Sequence, residues 1–228
     1  MIYILALETT STICSVALFQ GNQLLGISEL QIEKSHSSHI TVLVEQLLQN
    51  CQVTSSQLAA VALSGGPGSY TGLRIGSATA KGLCYALNIP LIEISTLHAL
   101  AQEAIQYTPN ATNYLFCPMV DARRMEVYTC ILNSTLEEIA PITPVILEET
   151  SFQDILIENK IVFFGSGASK FQEIIINSTN ATFLPNIKPT TRLMGKLALQ
   201  KYNQAAFEDV AYYEPFYLKE VYITKSNK

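Results

Sequence analysis

The sequence is poor in charge. Only 14% of its 228 residues are charged, the net charge is −5, and the 14 Lys and Arg residues are spread singly along the chain. This distribution excludes a basic stripe of the kind that binds nucleic acid through its phosphates, so an RNA partner would have to be held by another subunit. Because 48% of the residues are hydrophobic, the low charge also indicates a buried face for a partner.

Cysteine pairs and membrane-spanning runs are missing as well. The five cysteines are odd in number, widely spaced and set in apolar segments without a CxxC pair, which predicts reduced core residues in a reducing compartment. The apolar run at residues 2–7 has no basic region before it and stops at Glu8. No stretch approaches the roughly 18 apolar residues of a membrane helix. We therefore expect a cytoplasmic protein without a membrane anchor.

Recognisable metal and nucleotide motifs are also absent. His36 and His39 are spaced i,i+3, but no acidic third ligand lies at a motif spacing, so a solvated helix end is favoured over a zinc site. The glycine-rich segment 64–76 lacks the Gly-Lys-Ser/Thr ending of a phosphate loop and does not match GxGxxG. Its glycines can serve either an anion site or close packing. No metal and no cofactor is expected.

Strand and helix patterns alternate through the first half of the chain. An apolar run, an alternating segment and a third run after a Gly21-Asn22 turn predict a three-stranded meander. Apolar residues at helical spacing, preceded by the capping candidates Ser35, Ser37 and Ser38, then predict an amphipathic helix. The predicted elements are strands 2–7, 14–20 and 24–30, helix 40–51, strand 60–63, helix 73–87, strand 91–94 and helix 96–106.

The second half repeats the opening order. A polar segment at 107–113 divides the chain into predicted lobes 1–106 and 107–228. A strand then ends at Asp121, as the first strand of the chain ends at Glu8. The elements predicted here are strands 114–120, 126–132, 139–147 and 161–164 and helices 170–176 and 192–206. Two such halves predict an α/β protein with a duplicated ribonuclease-H-like fold, in which two mixed sheets are flanked by helices.

Two candidate sites follow from this organisation. The first is a vestigial ligand cleft between the lobes, where Glu8 and Asp121 should face each other, although both could equally be turn-capping carboxylates. Its residues are Glu8, Thr10, Ser11, Asp121 and Arg123. The second is a helical face on which small residues recur every four positions, so that another backbone, from a partner or from the chain itself, can approach closely. The candidate interface comprises Ile40, Leu43, Val44, Leu47, Gly72, Leu73, Gly76, Ala80 and Leu83.

Segments 4–18, 66–76 and 120–128 resemble the TsaB family, the threonylcarbamoyladenosine biosynthesis proteins once grouped with glycoproteases. The resemblance covers the first 130 residues well. It implies an actin-like ATPase fold and a non-catalytic subunit that works with a catalytic TsaD-type paralogue and a TsaE-type P-loop ATPase. That complex attaches threonylcarbamoyl to the adenosine beside the anticodon of tRNAs reading codons that begin with A. Contact with tRNA is expected only through the complex.

Particular residues qualify the resemblance. Thr96 and Leu100 stand where the catalytic paralogue has two metal-binding histidines, which implies that this chain binds no metal there. Glu8 stands where the family usually has Asp, and Tyr70 replaces the commoner Phe.

The candidate interface is implied to dock the paralogue and, without it, to pair with a second copy as a homodimer. Gly76→Leu is expected to weaken that docking while leaving the fold intact. The alternatives are an ATP-dependent small-molecule kinase of the same fold, a glycoprotease-like metallopeptidase and a purely homodimeric binding protein.

Overall fold

A computed structural model describes residues 1–32, 36–176 and 179–217. The first lobe is a five-stranded mixed sheet with the strand order β3-β2-β1-β4-β5. Its strands are β1 (Tyr3–Glu8), β2 (Cys14–Gln20), β3 (Gln23–Leu30), β4 (Leu58–Gly66) and β5 (Leu91–Ser95). The helices of this half of the sequence are α1 (His36–Asn50), α2 (Tyr70–Leu87) and α3 (Thr96–Tyr107). Ser35, one of the predicted caps of α1, lies outside the described residues.

The pairing of the first sheet confirms the predicted meander. β1, β2 and β3 pair antiparallel, whereas β4 pairs parallel to β1 and β5 parallel to β4. β1 and β4 are central and buried on both faces, which is why they read as continuous apolar runs and not as alternating strands.

The second lobe repeats this topology with the order β10-β9-β6-β7-β8. Its strands are β6 (Leu115–Asp121), β7 (Glu126–Leu132), β8 (Glu138–Ile146), β9 (Ile161–Phe164) and β10 (Ala181–Leu184), and the later helices are α4 (Gln153–Leu156), α5 (Ala168–Ile174) and α6 (Met194–Asn203). β6 and β7 correspond to β1 and β2, and β6 and β9 are parallel as β1 and β4 are. The predicted duplication is therefore confirmed. α4 and β10 are absent from the prediction because each has only four residues and, unlike β9, neither is a continuous run of large apolar residues.

Helices cover both faces of each sheet. Apolar residues of α1 and α2 pack on one face of the first sheet around Leu5, Leu7 and Leu63. α3 turns residues such as Leu97 and Leu100 towards the second sheet, which links the two lobes through a shared core. α5 and the short α4 cover the outer face of that second sheet.

A helix from the predicted lobe 107–228 packs on the sheet of the predicted lobe 1–106. α6 does not pack on the second sheet but crosses back to the first, where Met194 and Ala198 cover Ile4, Phe19 and Ile92. The sequence order gives no sign of this return, because the amphipathic pattern of α6 fits either lobe. The first lobe is thus completed by residues from the other end of the chain.

Beyond α6 the chain continues along the first lobe, and we call residues 205–217 the C-terminal strap. Lys81 Nζ on α2 donates hydrogen bonds to the backbone oxygens of Ala211 and Tyr213, at 3.1 Å each. The Tyr213 side chain is buried in the core under α1 and α2. The strap therefore lies against the edge of α2.

Both ends of the strap are joined to strands of the first sheet. The Glu208 amide donates to the Leu91 carbonyl at 2.9 Å, at the start of β5, and the Phe216 amide donates to the Gly65 carbonyl at 2.8 Å, at the end of β4. These backbone bonds fix the course of the strap from one end of α2 to the other.

Candidate functional site

Glu8 ends β1 and is enclosed by the chain itself. Its side chain is 0% exposed. One carboxylate oxygen accepts a hydrogen bond from the Thr10 amide at 2.5 Å, and the other accepts one from the Ser64 hydroxyl. Met194 closes the site from α6, with its sulfur 3.7 Å from Ser64 Oγ. Burial raises the pKa of the Glu8 carboxyl, and the hydrogen bonds from Ser64 and Thr10 only partly oppose that rise.

The glycine-rich loop and the first turn of α2 pack directly on the turn after Glu8. Thr9 Oγ1 donates to the Gly72 carbonyl at 2.8 Å, and the Ser69 amide donates to the Thr10 carbonyl at 2.7 Å. A Cβ at Gly72 would overlap the Thr9 carbonyl oxygen. The absence of side chains at this point therefore serves close packing between two backbone segments, which was one of the two interpretations open from the sequence.

Gly66 in the same loop requires glycine for a second reason. Its φ of +119° is a conformation that side chains rarely adopt, and a Cβ there would lie 2.7 Å from the Phe216 carbonyl oxygen. The C-terminal strap therefore also packs against this loop.

Asp121 ends β6, the strand equivalent to β1, but it lies in a different environment from Glu8. Its carboxylate accepts the Arg123 amide at 2.6 Å and forms an ion pair of 2.6 Å with Lys170 of α5. Its own amide donates to Ser166 Oγ at 3.0 Å. Arg123 is exposed and has a φ of +70° in this turn. Asp121 thus caps a turn and binds a lysine of its own lobe.

The predicted cleft residues form two separate groups. Glu8, Thr10 and Ser11 lie in the turn after β1, where Ser11 Oγ accepts the Ile13 amide at 3.1 Å. Among the described residues, no hydrogen bond or ion pair joins this turn to Asp121 or Arg123. Ser64 and Met194 enclose Glu8, whereas Asp121 is exposed, and a cleft shared by the two carboxylates stays a prediction.

Most of the predicted interface residues are buried against the first sheet, although Val44 and Leu83 also border an open groove. Every one of them except Leu83 is buried, and the helical residues pack on the first sheet. A Cβ at Gly76 would overlap Thr9 Oγ1. The stripe of Gly72, Gly76 and Ala80 therefore receives the chain's own backbone turn. Because a side chain at Gly76 would collide with Thr9, we expect Gly76→Leu to destabilise the fold as well.

A second stripe of small residues lies on the outer face of α2. Ala78, Gly82 and Ala86 are exposed at the same four-residue spacing, two positions further along the helix. A Cβ at Gly82 would meet nothing within 4 Å. The same spacing is visible in the sequence. Leu73, Ala80 and Cys84 mark the core side of α2, and this is the sequence feature that indicates that residues 78, 82 and 86 point away from the core.

An open groove runs beside this stripe, between α1 and α2. It has a volume of about 590 Å³, and its lining combines the apolar side chains of Val44, Leu48, Val53 and Leu83 with polar side chains of both helices and the segment that follows α1. Val42, on the outer side of α1, leaves 43% of its surface exposed. We call the exposed stripe and this groove together the α1–α2 face.

The three histidines lie on α1 and α3. Within the described residues, no group of three or more His, Cys, Asp or Glu side chains is placed to hold a metal ion. Thr96 and Leu100 are buried in α3, while His98 Nε2 lies 3.7 Å from Glu138 of the second lobe.

Within the part of the chain that the structure describes, no helix is both long and apolar enough to cross a membrane.

The duplicated topology, with Glu8 and Asp121 at equivalent strand ends, defines a two-lobed protein of the actin-like ATPase fold. The family model "TsaD: tRNA N6-adenosine threonylcarbamoyltransferase" matches residues 20–224. The chain is 31% identical over 177 residues to the tRNA threonylcarbamoyladenosine biosynthesis protein TsaB of Bacillus subtilis, covering 75% of this chain and 74% of that one. The chain therefore belongs to the TsaB family.

Other relatives agree with this assignment. The TsaB protein of Escherichia coli is 37% identical over 125 residues, covering 55% of this chain and 52% of that protein. The solved structure of YeaZ from Pseudomonas aeruginosa superimposes with a TM-score of 0.81 over 96% of this chain and 100% of that one, at 24% identity. The superposition on YeaZ shows the fold, and the sequence matches to TsaB proteins show the family.

Proposed function

We propose that this protein is the non-catalytic subunit of a complex that synthesises threonylcarbamoyladenosine in tRNA, and that it docks a catalytic TsaD-type paralogue through the α1–α2 face. A TsaE-type P-loop ATPase would complete the set, and tRNA would be contacted through the complex. The observation that supports docking most directly is the exposed stripe of Ala78, Gly82 and Ala86 beside the apolar groove.

The shape of this face suits helix-to-helix contact. Small exposed residues at four-residue spacing let a partner helix approach α2 closely, and the groove offers apolar side chains for the partner to cover. Without the paralogue, the same face would pair with a second copy around a twofold axis. This proposal keeps Val44 and Leu83 of the predicted interface, which line the groove, and replaces the buried glycine stripe with the outward stripe of the same helix.

The surroundings of Glu8 support a non-catalytic role. A kinase of this fold would need the carboxylate at the end of β1 to reach its ligand, whereas here Ser64, Thr10 and Met194 surround it. The glycine-rich loop is likewise packed against Thr9 and Thr10. These contacts leave the chemistry to the paralogue.

The experiment compares Gly82→Leu with the parent protein. The substitution should leave melting unchanged, because the position is open, while it blocks close helix approach. We expect association with the TsaD-type protein of the same genome to weaken by roughly tenfold to hundredfold, as overpacking of about 1 to 3 kcal/mol implies. Threonylcarbamoylation of tRNA by the reconstituted proteins should fall with it.

Tyr107→Ala is a matched control, because Tyr107 is 61% exposed at the end of α3, away from the α1–α2 face. It should associate and support modification like the parent. Normal association of Gly82→Leu would exclude the α1–α2 face as the docking site. Modification that proceeds equally well without this chain would overturn the proposed function itself.

A further inference from the structure

His98 lies where the two lobes meet. It is the third residue of α3, which begins at Thr96, and 23% of its side-chain surface is exposed. Its Nε2 lies 3.7 Å from Glu138 Oε1, at the start of β8, the edge strand of the second sheet. Because a carboxylate faces Nε2, the proton of the neutral ring belongs on that nitrogen. A change in the charge of His98 therefore acts directly on a contact between the lobes.

The other ring nitrogen, Nδ1, has no acceptor beside it. Within the described residues, His98 Nδ1 is buried without a hydrogen-bond partner, and so are the hydroxyls of Ser95 and Thr96 in the same turn. In the neutral ring Nδ1 carries only a lone pair. A second proton would bind at Nδ1 and create a buried, positively charged N–H group with no acceptor, which is costly. Water could accept this hydrogen bond only if the contact opened.

The charged groups that act on His98 come from the second sheet and from α6. Burial lowers the pKa of His98, Glu138 opposes this, and Lys201 of α6 lowers the pKa further. The Glu138 side chain is 43% exposed, so solvent screens its attraction. The amino-terminal end of a helix also disfavours a cation.

The other elements packed against α3 add no free charge that faces His98. β4 has no titratable side chain. The titratable groups nearest this region on the remaining elements are Glu93 of β5, which binds Lys201, Asp121 of β6, which binds Lys170, and Tyr128 and Cys130 of β7, which pack in the shared core.

We propose that His98 is a proton-sensitive contact between the lobes: when it takes up a second proton, the first turn of α3 and β8 separate so that water can hydrogen-bond to Nδ1. The contact is complete above the ordinary histidine pKa of 6.5. It is lost as the pH falls below that value towards the lowered pKa of the closed form. This inference depends neither on the α1–α2 face nor on the proposed function.

Titration of the full chain by NMR measures His98 directly, and the loss of its ring signals in His98→Gln identifies them. The midpoint should lie below 6.5 in the parent. It should fall further in Glu138→Gln, because that variant removes the carboxylate that favours the charged ring. A parent midpoint at or above 6.5 would show that protonation strengthens the contact, and the inference would be wrong.

Hydrogen exchange, corrected for intrinsic rates, then tests whether the contact opens. It is measured at about pH 7.5 and about one unit below the midpoint found by NMR. Acidification should reduce the protection of residues 99–102, whose amides donate to the carbonyls of the first turn of α3, and of residues 138–140. The loss should be roughly threefold for a midpoint near 6 and roughly tenfold for one near 5.5.

His98→Gln cannot take up the proton, so its protection in these segments should not respond to acidification in this way. His39→Gln, at an exposed position of α1, is the matched control and should respond like the parent. Burial also raises the pKa of Glu93, and the comparison with His98→Gln separates the effect of that carboxyl from the effect of His98. An equal response to acid in His98→Gln, or unchanged protection in the parent, would overturn the inference.

Discussion

Two glycines on α2, Gly72 and Gly82, differ in whether the structure has room for a side chain. At Gly72 the space is filled by the Thr9 carbonyl, whereas Gly82 borders open space. Both are helical residues with the same intrinsic cost relative to alanine. Substituting alanine at each position therefore distinguishes the effect of packing on stability from the effect of helix propensity, within the same helix.

Gly72→Ala and Gly82→Ala should therefore shift stability in opposite directions. Gly72→Ala forces α2 away from the turn after β1 and should destabilise by about 1 to 3 kcal/mol. Gly82→Ala should stabilise by about 0.5 to 1 kcal/mol, because alanine restricts the unfolded chain at no steric cost. Thermal unfolding checks both, with expected shifts of roughly 2 to 4 °C per kcal/mol. A stabilising Gly72→Ala would contradict the described contact with Thr9.

Glu8 should make stability depend on pH in an identifiable direction. Its folded pKa is raised above the ordinary value of 4.5 by burial, so its contribution is fully present below the unfolded pKa and is lost as the pH rises through the folded pKa. Glu8→Gln removes this titration while its amide can still accept from Thr10. The stability of the parent relative to Glu8→Gln should therefore decline as the pH rises above about 4.5.

Denaturant unfolding at several pH values measures that difference. Because Glu93 and Glu103 also have raised pKa values through burial, the parent alone would not isolate Glu8, and the comparison with Glu8→Gln is essential. A difference that stays constant across the range would show that the Glu8 pKa is the same in the folded and unfolded chain.

At the scale of elements, α2 is fixed by three neighbours: the sheet beneath it, α1 on one side and the C-terminal strap on the other. Lys81 is the point at which the strap and α2 meet. A charged donor bound to two carbonyls typically contributes more than a neutral hydrogen bond.

Lys81→Met should loosen the strap without unfolding the protein. We expect hydrogen exchange to accelerate at the amides of residues 208–216, while β1 and β4 keep their protection. Lys170→Met is the matched control, since it removes an ion pair with Asp121 on the other lobe. Unchanged exchange in the strap of Lys81→Met would mean that Tyr213 and the backbone bonds hold the strap by themselves.

The sequence predicted most elements because strands and helices carry their own periodicity. α6, predicted at 192–206, forms at Met194–Asn203. The strap could not be predicted in the same way, because its contacts join Lys81, Leu91 and Gly65 to residues more than a hundred positions later. The contact of the stripe Gly72, Gly76 and Ala80 with the turn at Thr9 could not be predicted for a related reason. Small residues at four-residue spacing indicate a close approach, but they do not tell which backbone approaches.

For the whole molecule, the first lobe is built from both ends of the chain. α6 covers the sheet face that carries Ile4, Phe19 and Ile92, and the strap joins β4 and β5. We therefore expect that residues 1–106 and 107–228 do not fold independently of each other.

Residues 1–106 expressed alone should fail to fold cooperatively. Without α6, buried apolar residues of β1, β2 and β5 would be exposed to water, and the fragment should bind hydrophobic dyes and lack a sharp thermal transition. Co-expression with residues 107–228 should restore a folded, co-purifying pair. A fragment that melts cooperatively by itself would show that the lobe is complete without α6.

Because α6 covers one face of the first sheet, the core of the first lobe cannot be completed during translation until α6 has been synthesised. Phe19 leaves the ribosome well before Met194, which packs in the same core cluster. At about 5 to 20 residues per second, the interval is on the order of ten to forty seconds. Throughout that time the nascent first lobe carries an uncovered apolar sheet face. The nascent chain should therefore depend on ribosome-associated chaperones until α6 has been synthesised.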